Sequence, residues 1–594
     1  MDWTWDLGKL YKEGFDDPQF AADMEKAARM VAEDRAAVAA YSHEGDEVAQ
    51  LEDAIRRLSD LDALTTRLGH MVFLTLAVDA NNEAAQAAQN RIMLLGVEAQ
   101  QLSSALTVYV GQVADLDGVI AASELLRVHA YVLHGMKKDA AHVIDPAVEP
   151  AVLQMQLTGG SAWSQLRDQL DANHLIDFEV DGEMKKLPLS AIRGMADSPD
   201  ADVRRRAYEA ELAAYPRIEI PMAACLNGIK GEALTLAKMR HFDSVLDTAL
   251  DVSHMDRQTL DAMITAMKES LPIWRRYYRL KARLLGYEGG MKWYDAVAPV
   301  GKSDTTYTVE QARQLLVTEM GKFSDKMGKF IDRAFEDRWI DMFPHEGKQG
   351  GAFCSGVHPL GTSYVMTNFN GSLNSVSTLA HELGHAYHND CVKDLPILLA
   401  DYPMPLAETA SIFNETLLSQ KLLANAQGEE KLMLLESQLA GDAQVIVDIL
   451  SRYLFESEVV ERRKDHALSP RELCEIMLDA QRQTYGDGLD PDCMHPYMWA
   501  CKSHYYGTDV HFYNFPYAFG LLFGKGVFAQ YQAEGDAFLP KYDKLLAYTG
   551  QNDVREVAAS VGIDVTDVNF WRASLKVEEE AICELEKLAE ELHK

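Results

Sequence analysis

The chain has 594 residues, with 57 Lys and Arg against 91 Asp and Glu, a formal charge of −34. Binding to a phosphate backbone depends on clustered Lys and Arg and the counterions they release, so this balance argues against a nucleic-acid partner. Apolar residues make up 47% of the chain and no low-complexity stretch interrupts them, which assures a sizeable core.

The opening, MDWTWDLGKLYKEGF, has acids and tryptophans where a secretion signal needs a basic segment and then an apolar run. The most apolar segments, around Met71 to Ala77 and Phe515 to Phe523, are shorter than the ~20 residues that span a bilayer, so no membrane partner is expected. Seven cysteines without a Cys-x-x-Cys pair fit a reducing cytoplasm. From about residue 20 to 190, apolar residues recur at three and four spacing, as in Leu51, Ile55, Leu58, Leu61 and Leu64, which predicts a series of amphipathic helices. The stretch Asp177 to Leu189 breaks that pattern with an Asp181-Gly182 turn between β-like runs, a small hairpin, and marks a soft lobe boundary near residue 195. Arg204 to Arg206 follow a helix-start signal and are expected on a solvated helix face.

Helical periodicity resumes over Met222 to Arg240 and Asp256 to Leu285, gives way to a loop marked by Gly286, Gly289, Gly290 and Pro299, and returns in a helical pair ending near Phe335. Residues 343 to 372 are irregular, with two short strands expected at Ala352 to Cys354 and Ser363 to Asn370. Gly350 and Gly351 there would let another chain approach closely. The last 27 residues place Phe570, Trp571, Leu575, Ile582, Leu585, Leu588 and Leu592 on one helical stripe.

The residues that carry chemistry are His381-Glu382-Leu383-Gly384-His385. Two histidines four apart stand one turn apart on a helix, ~6 Å along its axis, so both imidazoles can reach one zinc ion. Glu382 beside them is placed to take a proton from an activated water. Ser375, Ser377 and Thr378 offer capping hydroxyls, and Val376, Leu379, Ala380, Leu383 and Ala386 would bury the helix. A third ligand is needed. His388 lies too far along the helix to share the ion. Glu408, on a helix started by Pro403 and Pro405, is the better candidate, and Glu415 seven residues on shares its face and could hydrogen-bond a ligating histidine.

The run SYVMTNFNGSLNSVSTLAHELGHAYH followed by AETASIFNE resembles the oligoendopeptidase F branch of the thimet-oligopeptidase family of zinc metallopeptidases. WDLGKLY, LNGIKGEALTLAK from Leu226, KWYDAVAP from Lys292 and GGAFC from Gly350 extend the likeness over nearly the whole chain. The resemblance implies a mainly α protein, a two-lobed helical ellipsoid with a deep substrate channel and a small β-sheet beside the zinc helix. It implies an N-terminal helical lobe over 1–195 and a zinc-peptidase catalytic lobe over 196–594 that completes the channel. One Zn2+ would be held by His381, His385 and Glu408, with Glu382 as general base and short unfolded peptides as substrates. The strand before the zinc helix, Val365, Met366, Thr367, Asn368, Phe369 and Asn370, would pair with the substrate backbone, with Gly350 and Gly351 nearby.

The oxyanion needs further donors. The family draws them from a His and Tyr segment near the C-terminus, here HYYGTDVHFYNFPYAFG, in which His504, Tyr505, Tyr506, His511, Tyr513 and Tyr517 compete. His511 and Tyr517 are favoured, with Tyr513 next. The competing readings are a zinc carboxypeptidase or dipeptidyl carboxypeptidase of related fold, for which no sequence-local motif recognises a free terminus, and a non-catalytic peptide-binding protein, against which the intact ligand set counts.

Overall fold

Side-chain caps start the first long helices: Asp17 accepts from Gln19 N, Asp46 from Ala49 N and Asn82 from Ala85 N, opening Pro18–Ala39, Glu47–Val78 and Glu83–Gln112. Each such cap satisfies a backbone N–H that the helix itself cannot and is worth ~1 kcal/mol. The structure is a computed structural model that describes residues 3–145, 147–180, 182–301 and 305–592. It is mainly α, with helices joined by short connections and two small sheets among the described residues. By length and apolar content Glu47–Val78 reaches the minimum for a membrane span, contrary to the sequence reading. Its Leu51, Ile55, Leu61, Leu68 and Leu74 are nonetheless buried in a protein core.

Contacts divide the chain into two units, and the division differs from a contiguous split at residue 195. The first unit comprises Met1–Val143, Thr305–Lys421 and Val527–Gly562; the second comprises Ile144–Asp304, Leu422–Gly526 and Ile563–Lys594. The reason is packing across long sequence separations: the N-terminal helices share one apolar cluster with Val357, Tyr364 and Met366. In that unit β3 (Ile340–Asp341), β4 (Phe353–Val357) and β5 (Thr362–Met366) form a sheet of order β3-β5-β4, β5 running parallel to β3 and antiparallel to β4. The helix Leu373–Val392 follows, then Met404–Asn425.

The second unit holds the expected hairpin, β1 (Leu175–Val180) antiparallel to β2 (Glu183–Pro188), although Asp181 of its turn lies outside the described residues. Its core gathers Ile176 and Phe178 with Tyr215, Met222, Leu226, Phe455, Leu473, Trp499, Tyr505 and Tyr506. The C-terminal helix Val568–Leu592 buries Trp571, Leu575, Ile582 and Leu585 of the expected stripe, while Lys594 lies outside the described residues. Arg204 departs from expectation: it is buried and its Nε donates to Asp295 Oδ1 at 2.6 Å, while Arg205 and Arg206 pair with Asp202 at the surface. A helix with one inward-facing guanidinium is stable only because a buried carboxylate meets it.

Candidate metal centre

Ser372, not the hydroxyls at 375 to 378, caps the helix Leu373–Val392 by accepting from Ser375 N. The helix buries Val376, Leu379, Ala380, Leu383 and Ala386 and leaves His381 and His385 half-buried on one side. Its close neighbour is Met404–Asn425: a Cβ on Gly384 would lie 2.6 Å from both Ala410 O and Ser411 Cα, so only glycine lets the two backbones approach this far. Asn414 Nδ2 bridges them by donating to Ala380 O at 3.3 Å.

That approach brings three ligand atoms together. His381 Nε2 lies 3.2 Å from His385 Nε2 and 3.3 Å from Glu408 Oε2, and His385 Nε2 lies 3.4 Å from the same oxygen. Among the described residues this is the group of three with metal-ligand spacing. A tetrahedral ion ~2.05 Å from each ligand requires ligand–ligand edges of ~3.3 Å, which is the triangle observed. The residues therefore fit the metal that the motif implies. Glu415 Oε2 stands 3.5 Å from His381 Nδ1, an arrangement that holds the proton on Nδ1 and leaves the Nε2 lone pair for an ion. Ser411, which no sequence argument singled out, donates its hydroxyl to Glu408 Oε2 at 2.7 Å and so orients that carboxylate.

Electrostatics follow from the same crowding. Burial alone would raise the Glu408 pKa, but the hydrogen bonds of His381 and His385 hold it well below the usual carboxylate range. Burial likewise opposes charge on His381, yet Glu408 and Glu415 raise its pKa well above the ordinary imidazole value. The site is thus built to hold positive charge. Glu382 is buried, and burial raises its pKa while the two histidines lower it, a basicity suited to accepting and releasing a proton. His388 is outside the triad. Its Nε2 meets Thr549 Oγ1 at 2.8 Å and its ring stacks on Tyr402 with centroids 3.9 Å apart.

The expected substrate strand needs correction. Val365 and Met366 lie in β5, which has a partner on each side, and both are fully buried. Thr367 N and Phe369 N donate to Asp341 O and Met342 O, so these N–H groups are spent within the protein. Asn370 accepts from Ser372 N, ahead of the metal helix. The edges of the sheet are instead β4 and the two-residue β3. Asn368 supports the loop that leads into β4, its Nδ2 donating to Gln349 O and Gly351 O at 3.0 and 2.9 Å, and Gly351 has a φ of +84° there while Gly350 is exposed.

In the second unit, His504, Tyr513 and Tyr517 form one half-exposed ring cluster: His504 stacks on Tyr513 at 5.3 Å, and Tyr517 stands edge-on to Tyr513 at 5.5 Å and to His504 at 6.4 Å. His511, expected in that role, is buried instead, with Nδ1 3.4 Å from the Lys230 ammonium, which is itself bonded to Glu456. The turn responsible is Phe512, held at a φ of +54° while its N–H donates to Glu456 Oε1 at 3.0 Å. Tyr505 and Tyr506 are core residues. Burial, with Arg452, Lys502 and Arg167 nearby, lowers the His504 pKa to about 4 and keeps its imidazole neutral near pH 7.

Residues 194–577 match the model of Peptidase family M3. The chain is 25% identical over 481 residues to Oligopeptidase PepF of Bacillus subtilis (strain 168), covering 80% of this chain and 71% of that one. It is 27% identical over 433 residues to the Group B oligopeptidase PepB of Streptococcus agalactiae serotype III (strain NEM316), covering 71% and 70%. The solved structure of oligoendopeptidase-F from Enterococcus faecium shares the fold, with a TM-score of 0.72 at 19% identity over 96% of this chain and 99% of that one.

Proposed function

The chain belongs to peptidase family M3 and, with oligopeptidase relatives along most of its length, is a metal-dependent endopeptidase; we propose that its metal is zinc, its general base Glu382, and its substrates short unfolded peptides. The observation that carries this reading is the 3.2 to 3.4 Å triangle of His381, His385 and Glu408, with Glu382 on the same helix. Zinc bound there supplies a polarised carbonyl and a water of lowered pKa.

The chain's own residues do the rest. β4 offers its edge to an extended peptide, main-chain pairing that holds a backbone while asking little of its side chains. Glu382 accepts the proton of the attacking water and passes it to the departing amine nitrogen. Tyr517 and Tyr513 donate hydroxyl hydrogens, and neutral His504 an imidazole N–H, to the developing oxyanion. His504 takes the place first assigned to His511, because it shares the tyrosine cluster. Seven free cysteines support a cytoplasmic setting.

The test is an internally quenched peptide blocked at both ends, with metal analysis on the same preparation. One zinc per chain and cleavage that a chelator abolishes and zinc restores are expected. Chelator-insensitive cleavage would overturn the metal role, and a blocked peptide left intact would favour a carboxypeptidase or a binding protein.

A further inference from the structure

Asn389 continues the stripe of the two histidines on the metal helix. It follows His385 by four residues, as His385 follows His381, so the three stand one turn apart on one face, about 6 Å per step along the axis. Asn389 is half-buried and held by partners that all belong to the first unit. Its Nδ2 donates to Ser363 Oγ at 3.1 Å and, more weakly, to Cys354 Sγ at 3.7 Å, while its Oδ1 accepts from the Tyr402 hydroxyl at 3.0 Å. Tyr402 is itself stacked on His388 of the same helix. The amide oxygen is thus directed to Tyr402 and the amide N–H groups to the sheet.

The sheet-side partners share one face. Gly356 of β4 pairs with Ser363 of β5, and Cys354 stands two residues from Gly356, where side chains return to the same side. A Cβ on Gly356 would lie 2.7 Å from Asn389 Cγ and Nδ2, so at this point β4 meets the amide with bare backbone. Burial, and then the Glu382 carboxylate, raise the pKa of the Cys354 thiol, which puts the same strand close to the proposed base. The strand with an edge free for a peptide and the helix that carries His381, Glu382 and His385 are separate elements, and Asn389 joins them by hydrogen bonds.

We propose that Asn389 is a positioning residue of the peptidase reaction: by fixing β4 on the metal helix, it sets where a peptide bond held on that strand lies relative to Glu382 and the metal ligands. The inference rests on the reading of β4 as the strand that pairs with the peptide. A misplacement of ~1 Å between reacting groups costs up to ~10²-fold in rate. Main-chain pairing travels with the strand, so loosening β4 should show in turnover and spare affinity.

The test uses the zinc-loaded full chain and the doubly blocked, internally quenched peptide, with kcat, KM, zinc content and melting temperature measured on each variant. Asn389→Ala should lower kcat ~10- to 10²-fold, leave KM within about twofold and keep zinc content at the wild-type level. Ser363→Ala breaks the same bond from the sheet side and leaves the metal helix intact. It should give the same split between kcat and KM, and the double variant should be no slower than Asn389→Ala alone. If Asn389→Ala fails to fold, Ser363→Ala decides by that split. Wild-type kcat in a folded, loaded variant overturns the proposal. So does a loss of rate that merely follows zinc content or melting temperature, as a purely structural tie would give, or a double variant whose losses multiply. Zinc-loaded wild type that leaves the peptide intact overturns the endopeptidase reading and this inference with it, whereas cleavage by wild type and unimpaired variants overturns the inference alone.

Discussion

At the candidate metal centre, the roles proposed for the side chains are separable. Glu382→Gln removes a proton acceptor and leaves His381, His385 and Glu408 untouched, so metal content should hold while turnover falls ~10² to 10⁴-fold; near-normal turnover in a loaded variant would remove Glu382 from the reaction. Glu408→Ala should empty the site, whereas His388→Ala should leave metal stoichiometry almost unchanged, because His388 faces Thr549 and Tyr402. In the ring cluster, Tyr517→Phe should cost ~10² to 10³-fold in turnover with metal content and melting temperature nearly constant, since the hydroxyl acts in the transition state. A core tyrosine would instead lose ~1 kcal/mol of stability and little rate. The clustering of His381, His385 and Glu408 was legible because the spacing is the period of one helix: His381 and His385 at one turn, Glu408 and Glu415 on another shared face. Ser411 was not, since a hydroxyl three residues after a glutamate looks like any helical serine. The choice between His504 and His511 depended on the left-handed turn at Phe512, and no periodicity announces a positive φ at a phenylalanine.

Between elements, the close crossing at Gly384 turns two helices into one site. Gly384→Ala would drive a methyl into Ala410 O and Ser411 Cα, so the helices must separate. Overpacking of this kind costs ~1 to 3 kcal/mol, and Glu408 would move away from both imidazoles. Metal titration together with thermal melting checks it: unchanged affinity in a folded Gly384→Ala protein would mean the crossing is looser than described. His388 ties the same helix to Thr549, and burial, then His385, depresses its pKa to about 3. The unfolded imidazole titrates near 6.5, so unfolding takes up a proton between these values. Stability conferred by neutral His388 is therefore complete above about pH 6.5 and lost progressively as pH falls toward 3. The melting temperature of wild type should drop more steeply over that window than that of His388→Gln, and parallel curves would exclude the linkage. The strands were only half legible at this scale. β3 is two residues long, too short to show a period of two, yet its pairing makes β5 central and leaves β4 at the edge.

For the molecule, helical content was readable and its division was not. The hairpin β1–β2 interrupts the helical pattern just before residue 195, a natural place to cut by composition. Packing follows another rule: apolar faces close wherever they meet, and the first unit draws on three separate stretches of chain, as does the second. Tyr364 shows the consequence. It is fully buried, Trp5 stands edge-on to its ring at 5.9 Å, and its hydroxyl donates to Asp6 O at 2.8 Å. The N-terminal segment is thus part of the wall behind the sheet that precedes the metal helix. A fragment beginning at residue 196 keeps His381, His385 and Glu408 but strips Val357, Tyr364 and Met366 of the helices that cover them. Exposing that face forfeits ~25 cal/mol for each Å2 of apolar surface returned to water. The fragment should lack a cooperative melting transition and bind zinc weakly, and the missing segment 1–195 supplied as a second chain should restore both. A fragment 196–594 that melts cooperatively and holds one zinc unaided would show that the catalytic part folds as a contiguous domain after all.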